Sequence, residues 1–145
     1  MSGETTFRKY VADKINGHVS QIESHATSAG VPDTNYCLFN GVEGWIECKY
    51  SKNGKSFDVR GTQKTWIRRR LRVNHKRIYL FLRIEPKGGG REHILIHLQS
   101  EEQAKPLFDN PRPSYWKLCA TKVWGAYIDE NELYDLLGGN DGQHQ

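Results

Sequence analysis

The amino-acid sequence predicts an α/β protein: one domain with a mixed central β-sheet flanked by helices. Three observations carry this reading. The chain has 145 residues, the length of one domain with one core. Apolar residues recur at helical spacing in some segments and in short alternating or continuous runs in others. The order runs helix, three strands, helix, two strands, so one helix crosses between strands that hairpins cannot join.

Each element has its own signal. Residues 5–16, TTFRKYVADKIN, read as a helix, because Phe7, Tyr10, Val11 and Ile15 share one face. Thr5 or Thr6 can cap its start, and Gly17 ends it. His18–Ser24 alternates and reads as a first strand. HATSAGVP is a loop of small residues closed by Pro32. Asp33–Asn40 and Gly44–Tyr50 read as two strands of a hairpin turned by Gly-Val-Glu. The polar SKNGKS is a loop. Residues 61–74 form a second helix, with Thr62 as N-cap and Trp66, Ile67 and Leu71 facing inward. Arg77–Ile84, RIYLFLRI, is the plainest strand, and PKGGGRE turns it into the return strand HILIHL. Residues 100–110 form a short helix. Residues 111–124 show no readable pattern. Residues 129–137 form a last helix whose acidic first turn suits its dipole. The domain spans 1–138, and 139–145 forms a disordered tail.

Composition narrows the function classes. A hydrophobic fraction of 37%, with four Trp, seven Tyr and five Phe, excludes disorder throughout. No apolar run approaches the roughly 20 residues of a membrane span. MSGETTFRKY lacks the apolar core of a signal peptide, so an intracellular, cytoplasmic protein is expected. Cys37, Cys48 and Cys119 match no zinc spacing and read as free thiols. The net charge of +4 is modest, but its placement is not even. Between Arg60 and Arg77 lie Lys64, Arg68, Arg69, Arg70, Arg72 and Lys76, with no acidic residue among them. A single-sign field of that kind suits a polyanion, and a solvated helix face is the plain alternative.

The chemistry gathers at Asp33, Glu47 and Lys49. Glu47 and Lys49 are two apart on a strand and point to one face. The hairpin brings Asp33 beside them. Two carboxylates on one rim make a hard oxygen site for Mg²⁺, and a neighbouring lysine can hold or polarise an attacking water. If Ile46 and Cys48 face the core, the charged pair faces a cleft.

SAGVPD, residues 28–33, followed by WIECK, residues 45–49, resembles the signature of the PD-(D/E)xK nuclease superfamily. The small-residue loop, hairpin and Glu-x-Lys order resemble VRR-type nucleases and phage Holliday-junction resolvases. Gln63-Lys64-Thr65-Trp66 matches the Gln-x-x-Trp/Leu pattern that opens the next helix in those families. The resemblance covers residues 18–84. It implies a restriction-endonuclease-like fold and a Mg²⁺-dependent endonuclease, with Mn²⁺ able to substitute. Asp33 and Glu47 would be metal ligands, joined by the backbone carbonyl of Cys48. Lys49 would position the nucleophilic water, and Gln63 would touch that water or the scissile phosphate. An upstream acid is best matched by Glu23. Lys64, Arg68, Arg69, Arg70 and Arg72 would bind DNA, with His25 and Ser28 in the loop before the site. The resemblance further implies branched or four-way DNA as substrate, 5′-phosphate products and a homodimer. A DNA-binding module without catalysis and a duplex-cleaving restriction-type nuclease are the competing readings.

Overall fold

The computed structural model describes residues 3–22, 30–73 and 77–140. Among them twelve segments are regular: α1 (Gly3–Lys14), β1 (Gly17–Gln21), β2 (Thr34–Leu38), β3 (Glu43–Lys52), α2 (Gly61–Arg72), β4 (Ile78–Glu85), β5 (Glu92–Leu98), α3 (Glu101–Asp109), α4 (Pro113–Leu118), β6 (Lys122–Trp124), α5 (Glu130–Tyr134) and a wide π-helical turn that continues α5 over Asp135–Gly139.

The strands form one sheet in the order β1-β2-β3-β4-β5-β6. Every neighbouring pair is antiparallel except β3 and β4. That parallel pair needs a crossover, and α2 supplies it. The expected mixed sheet flanked by helices is therefore the fold.

Both faces of the sheet are covered. Tyr36, Ile46, Cys48, Tyr79 and Phe81 pack beneath α1 and α5, against Phe7, Val11, Leu133 and Leu137. Leu80, Leu82, Ile94 and Ile96 pack on the other face beneath α2 and α3, against Ile67, Leu71 and Leu107. β4 is apolar on both faces, which is why RIYLFLRI reads as a continuous run rather than an alternating one.

The boundaries differ from the sequence reading in ways that matter. α1 begins at Gly3, so Thr5 and Thr6 lie inside it and Glu4 joins its first turn, where an acid favours the helix dipole. Thr62 does not cap α2. Arg60 takes that position, and its N–H donates to Gln63 Oε1 at 3.2 Å. Ile67 and Leu71 are buried as expected, and Trp66 packs against the same core while staying half-buried. The unreadable stretch holds α4 and the edge strand β6, too short for a periodic signal.

Gly139, expected outside the domain, belongs to it. Gly138 and Gly139 are buried, and the side chain of Asn40 donates to both of their carbonyls at 3.1 Å. Tyr36 and Tyr79 hydroxyls donate to Leu137 and Leu136 carbonyls at 2.8 and 2.7 Å. Gly138 has φ 119, which a side chain would oppose, so the glycine pair turns the chain rather than releasing it. Residues 141–145 lie outside the described residues. Among the described residues, no helix is long and apolar enough to cross a membrane.

Candidate active site

The site is assembled from four elements around the start of β2. Thr34 pairs with Ile46 across the β2–β3 hairpin, and one step further along that antiparallel register sets Asp33 opposite Glu47. The Asp33 N–H donates to Glu47 Oε1 at 3.1 Å. Asp33 Oδ2 accepts from the Cys48 N–H at 3.0 Å, and its Oδ1 accepts from the Thr34 hydroxyl at 2.7 Å. Both oxygens of the carboxylate are thus fixed before any ligand arrives.

Strand alternation sorts β3. Ile46 and Cys48 enter the α1 face of the core, as expected, and Glu47, Lys49 and Ser51 point the other way. Glu47 and Lys49 are nearly enclosed, 1% and 5% exposed beside Gln63 at 3%, and Lys49 lines the wall of a cleft. Gln63 Nε2 donates to Glu47 Oε2 at 2.8 Å, and Gln63 Oε1 accepts from Lys49 Nζ at 2.9 Å. Lys49 Nζ also stands 3.2 Å from Glu47 Oε2. One amide therefore holds both the acid and the base in place from α2. Gly30, in the loop before Asp33, packs on the first turn of α2 with φ 85. A Cβ there would meet the Thr62 carbonyl oxygen at 2.1 Å.

A third carboxylate converges on the same point. Ligand oxygens of Glu4, Asp33 and Glu47 all lie within 4.8 Å of one another. Glu4 comes from the first turn of α1, which packs across β3. The sequence points to Glu23 for this role, and Glu23 lies outside the described residues, as do His25 and Ser28. The signal for Glu4 is the helix start itself, since an acid before a helical pattern belongs in its first turn. No spacing rule ties that residue to Asp33. Arg8, one turn further along α1, is a cation near enough to favour the charged form of Asp33.

The electrostatics fit a cation. Burial pushes the Asp33 carboxyl well above the usual carboxylate range, and the charge on Glu47 pushes it further. Burial also raises Glu47, against the opposing pull of Lys49. Buried, mutually repelling carboxylates with fixed orientations are relieved by a divalent ion. Their all-oxygen donor set suits a hard ion such as Mg²⁺ or Mn²⁺.

A cleft of about 560 Å³ opens beside Lys49. Lys52, Lys55 and Arg60 line it with Glu4, Tyr50, Phe57 and Asp58. Sequence reasoning misses Lys52 and Lys55, because SKNGKS reads only as a polar loop, whereas Arg60 opens the basic stretch already noted. The basic helix is divided instead. Arg68 and Arg72 reach Glu101 of α3, at 3.5 and 2.8 Å. Lys64 and Arg68 help hold Asp109 of α3 in its charged form, after the nearer Lys105. Arg69 and Arg70 sit on another side of α2, with Trp66. All three cysteines are free thiols.

The chain matches no family model, no curated protein and no solved structure.

Proposed function

We propose that this protein is a metal-dependent nuclease of the PD-(D/E)xK kind that hydrolyses DNA phosphodiester bonds. The observation that carries the reading is the convergence of Glu4, Asp33 and Glu47 beside a Lys49–Gln63 pair, at the mouth of a cleft lined by Lys52, Lys55 and Arg60.

Asp33, Glu47 and Glu4, with the Cys48 carbonyl, would hold one Mg²⁺ or Mn²⁺ ion. When bound, that ion supplies charge neutralisation at the phosphate and a more acidic water. The remaining work belongs to the chain. Lys49, held by Gln63 and Glu47, presents a fixed positive charge to the phosphate oxygens as their charge grows. Burial strengthens that interaction, because little water screens it. Gln63 holds the ammonium and the Glu47 carboxylate in one fixed arrangement and can orient a water without adding charge. Lys52, Lys55 and Arg60 hold the flanking phosphates, which positions the strand without reading its sequence. Branched DNA, cut by a symmetric pair of chains, is the substrate this reading favours.

The test is incubation of the purified chain with labelled four-way, flap, duplex and single-stranded DNA, in Mg²⁺ and in EDTA. Mg²⁺-dependent cleavage leaving 5′-phosphates is expected. DNA binding without cleavage in Mg²⁺ or Mn²⁺ would leave a non-catalytic binding module, and full activity in excess EDTA would remove the metal mechanism.

A further inference from the structure

Along the seam where Glu47 meets Gln63, the next side chains on both elements are tryptophans. Trp45 lies two residues before Glu47 on the same face of β3, roughly 7 Å along the strand. Trp66 lies three residues after Gln63 on α2, about 4.5 Å along the helix axis. Their rings meet edge to face at 5.3 Å. The guanidinium of Arg70 lies 4.5 Å from the Trp66 ring centre and 5.9 Å from that of Trp45.

This cluster is only half-buried, unlike the core aromatics on either face of the sheet. Trp66, Arg69, Arg70 and Val73 follow one another at helical spacing and line a pocket of about 280 Å³. Val73 is 74% exposed. Arg68 and Arg72 are tied to Glu101, whereas among the described residues no ion pair holds Arg69 or Arg70. The surface therefore combines flat aromatic area, a stacked guanidinium and positive charge, next to the carboxylates.

We propose that the Trp45–Trp66–Arg70 cluster is a stacking platform for one unpaired nucleobase flanking the scissile phosphate. The proposal rests on the nuclease reading above and names its substrate class: DNA with an unpaired nucleotide at the cut. Aromatic rings and arginine planes stack on any base, so the platform carries no sequence preference. A paired base cannot reach it without leaving its stack, which costs a duplex energy that a branch or fork has already spent. Trp45 braces Trp66 edge-on and Arg70 lies over the Trp66 ring, so the base stacks on a guanidinium–indole layer that is held rather than free to rotate. Arg69 is placed to meet the adjoining phosphate.

The experiment uses the full chain with forked DNA, in Ca²⁺ to support binding without turnover. The unpaired nucleotides next to the branch are replaced in turn by an abasic residue or by fluorescent 2-aminopurine. One position should lose roughly tenfold in affinity when abasic, and 2-aminopurine there should be quenched on binding. Trp66→Leu should weaken binding to intact forked DNA by a similar factor and lose its sensitivity to the abasic residue. Trp66→Phe should keep most of both. An undiminished abasic penalty in Trp66→Leu overturns the proposal. So does the absence of any penalty or quenching in the unmodified protein, a result that needs no variant to fold. Cleavage of the same fork in Mg²⁺ separates the two readings: cutting without a base effect removes the platform alone, and a base effect without cutting removes the nuclease.

Discussion

Gln63 and Glu47 stand 16 residues apart in sequence, yet the amide nitrogen of one lies 2.8 Å from a carboxylate oxygen of the other. The other end of the same amide accepts from Lys49. This clamp between α2 and β3 makes the chemistry of the site depend on the crossover helix.

Lys49→Ala and Gln63→Ala should each slow single-turnover cleavage by roughly a hundredfold or more, with DNA affinity in Ca²⁺ changed far less. Both side chains are buried and clamped beside Glu47, and of the two Lys49 alone lines the cleft. A fall in affinity as large as the fall in rate would make them DNA anchors instead.

Asp33→Asn should abolish cleavage and yet stabilise the metal-free protein. Burial and Glu47 raise the Asp33 carboxyl, so the folded state binds protons more tightly than the unfolded chain. The stability of the metal-free protein therefore falls as pH rises above the ordinary carboxylate range. An asparagine removes the buried charge, keeps an acceptor for the Cys48 N–H and can donate to a rotated Thr34 hydroxyl. At pH 8 without metal, Tm should rise by about 3 °C. Mg²⁺ should raise Tm in the unaltered protein and not in the variant. Thermal melts at pH 5 and pH 8, with and without Mg²⁺, check both signs.

Glu4→Gln should raise the Mg²⁺ concentration needed for half-maximal cleavage by about tenfold, since one of three converging oxygens loses its charge. Glu23→Gln provides the comparison. If Glu23 shifts the Mg²⁺ requirement and Glu4 does not, the third ligand is Glu23 rather than the acid of α1.

Neutralising Lys52, Lys55 and Arg60 together should flatten the salt dependence of DNA binding, by about 0.7 to 0.9 units for each phosphate that the cleft no longer neutralises. Replacing Arg68 and Arg72 should change that slope little, because both already pair with Glu101. The opposite ranking would return the DNA path to the α3 side of α2.

His93 should titrate near pH 4. Burial lowers it to about 4, and its ring is held between the Arg83 Nε–H, 3.0 Å from Nε2, and the Gly125 carbonyl, 2.8 Å from Nδ1. A depressed base is protonated more readily in the unfolded chain, so stability is lost as pH falls from about 6.5 towards 4. NMR titration of the imidazole measures this directly. Titration near the ordinary value would mean that the imidazole is not held in its buried position.

Some of this protein was determined by sequence alone. The pairing of Glu47 with Lys49 follows from strand alternation, and their approach to Asp33 follows from a short hairpin. These are local facts, set by backbone geometry over a few residues. The mixed sheet and its crossover were legible for a similar reason, since β4 is an unbroken apolar run and β3 reaches it only through a helix. The third carboxylate was not legible. Glu4 enters the site because α1 lies across β3, a packing decided by Phe7 and Val11 burying themselves on the far face of the sheet. Glu23 is the nearer acid in sequence, and sequence distance says nothing about which helix end points at a pocket. The division of the basic helix was hidden in the same way. Helical spacing separates Arg68 and Arg72 from Arg69 and Arg70, but only the docking of α3 beside α2 decides which of them meets Glu101 and which stands beside Trp66. Local geometry can be read from neighbours in the chain; convergence of distant side chains depends on how whole faces pack, and that is settled only when the core closes.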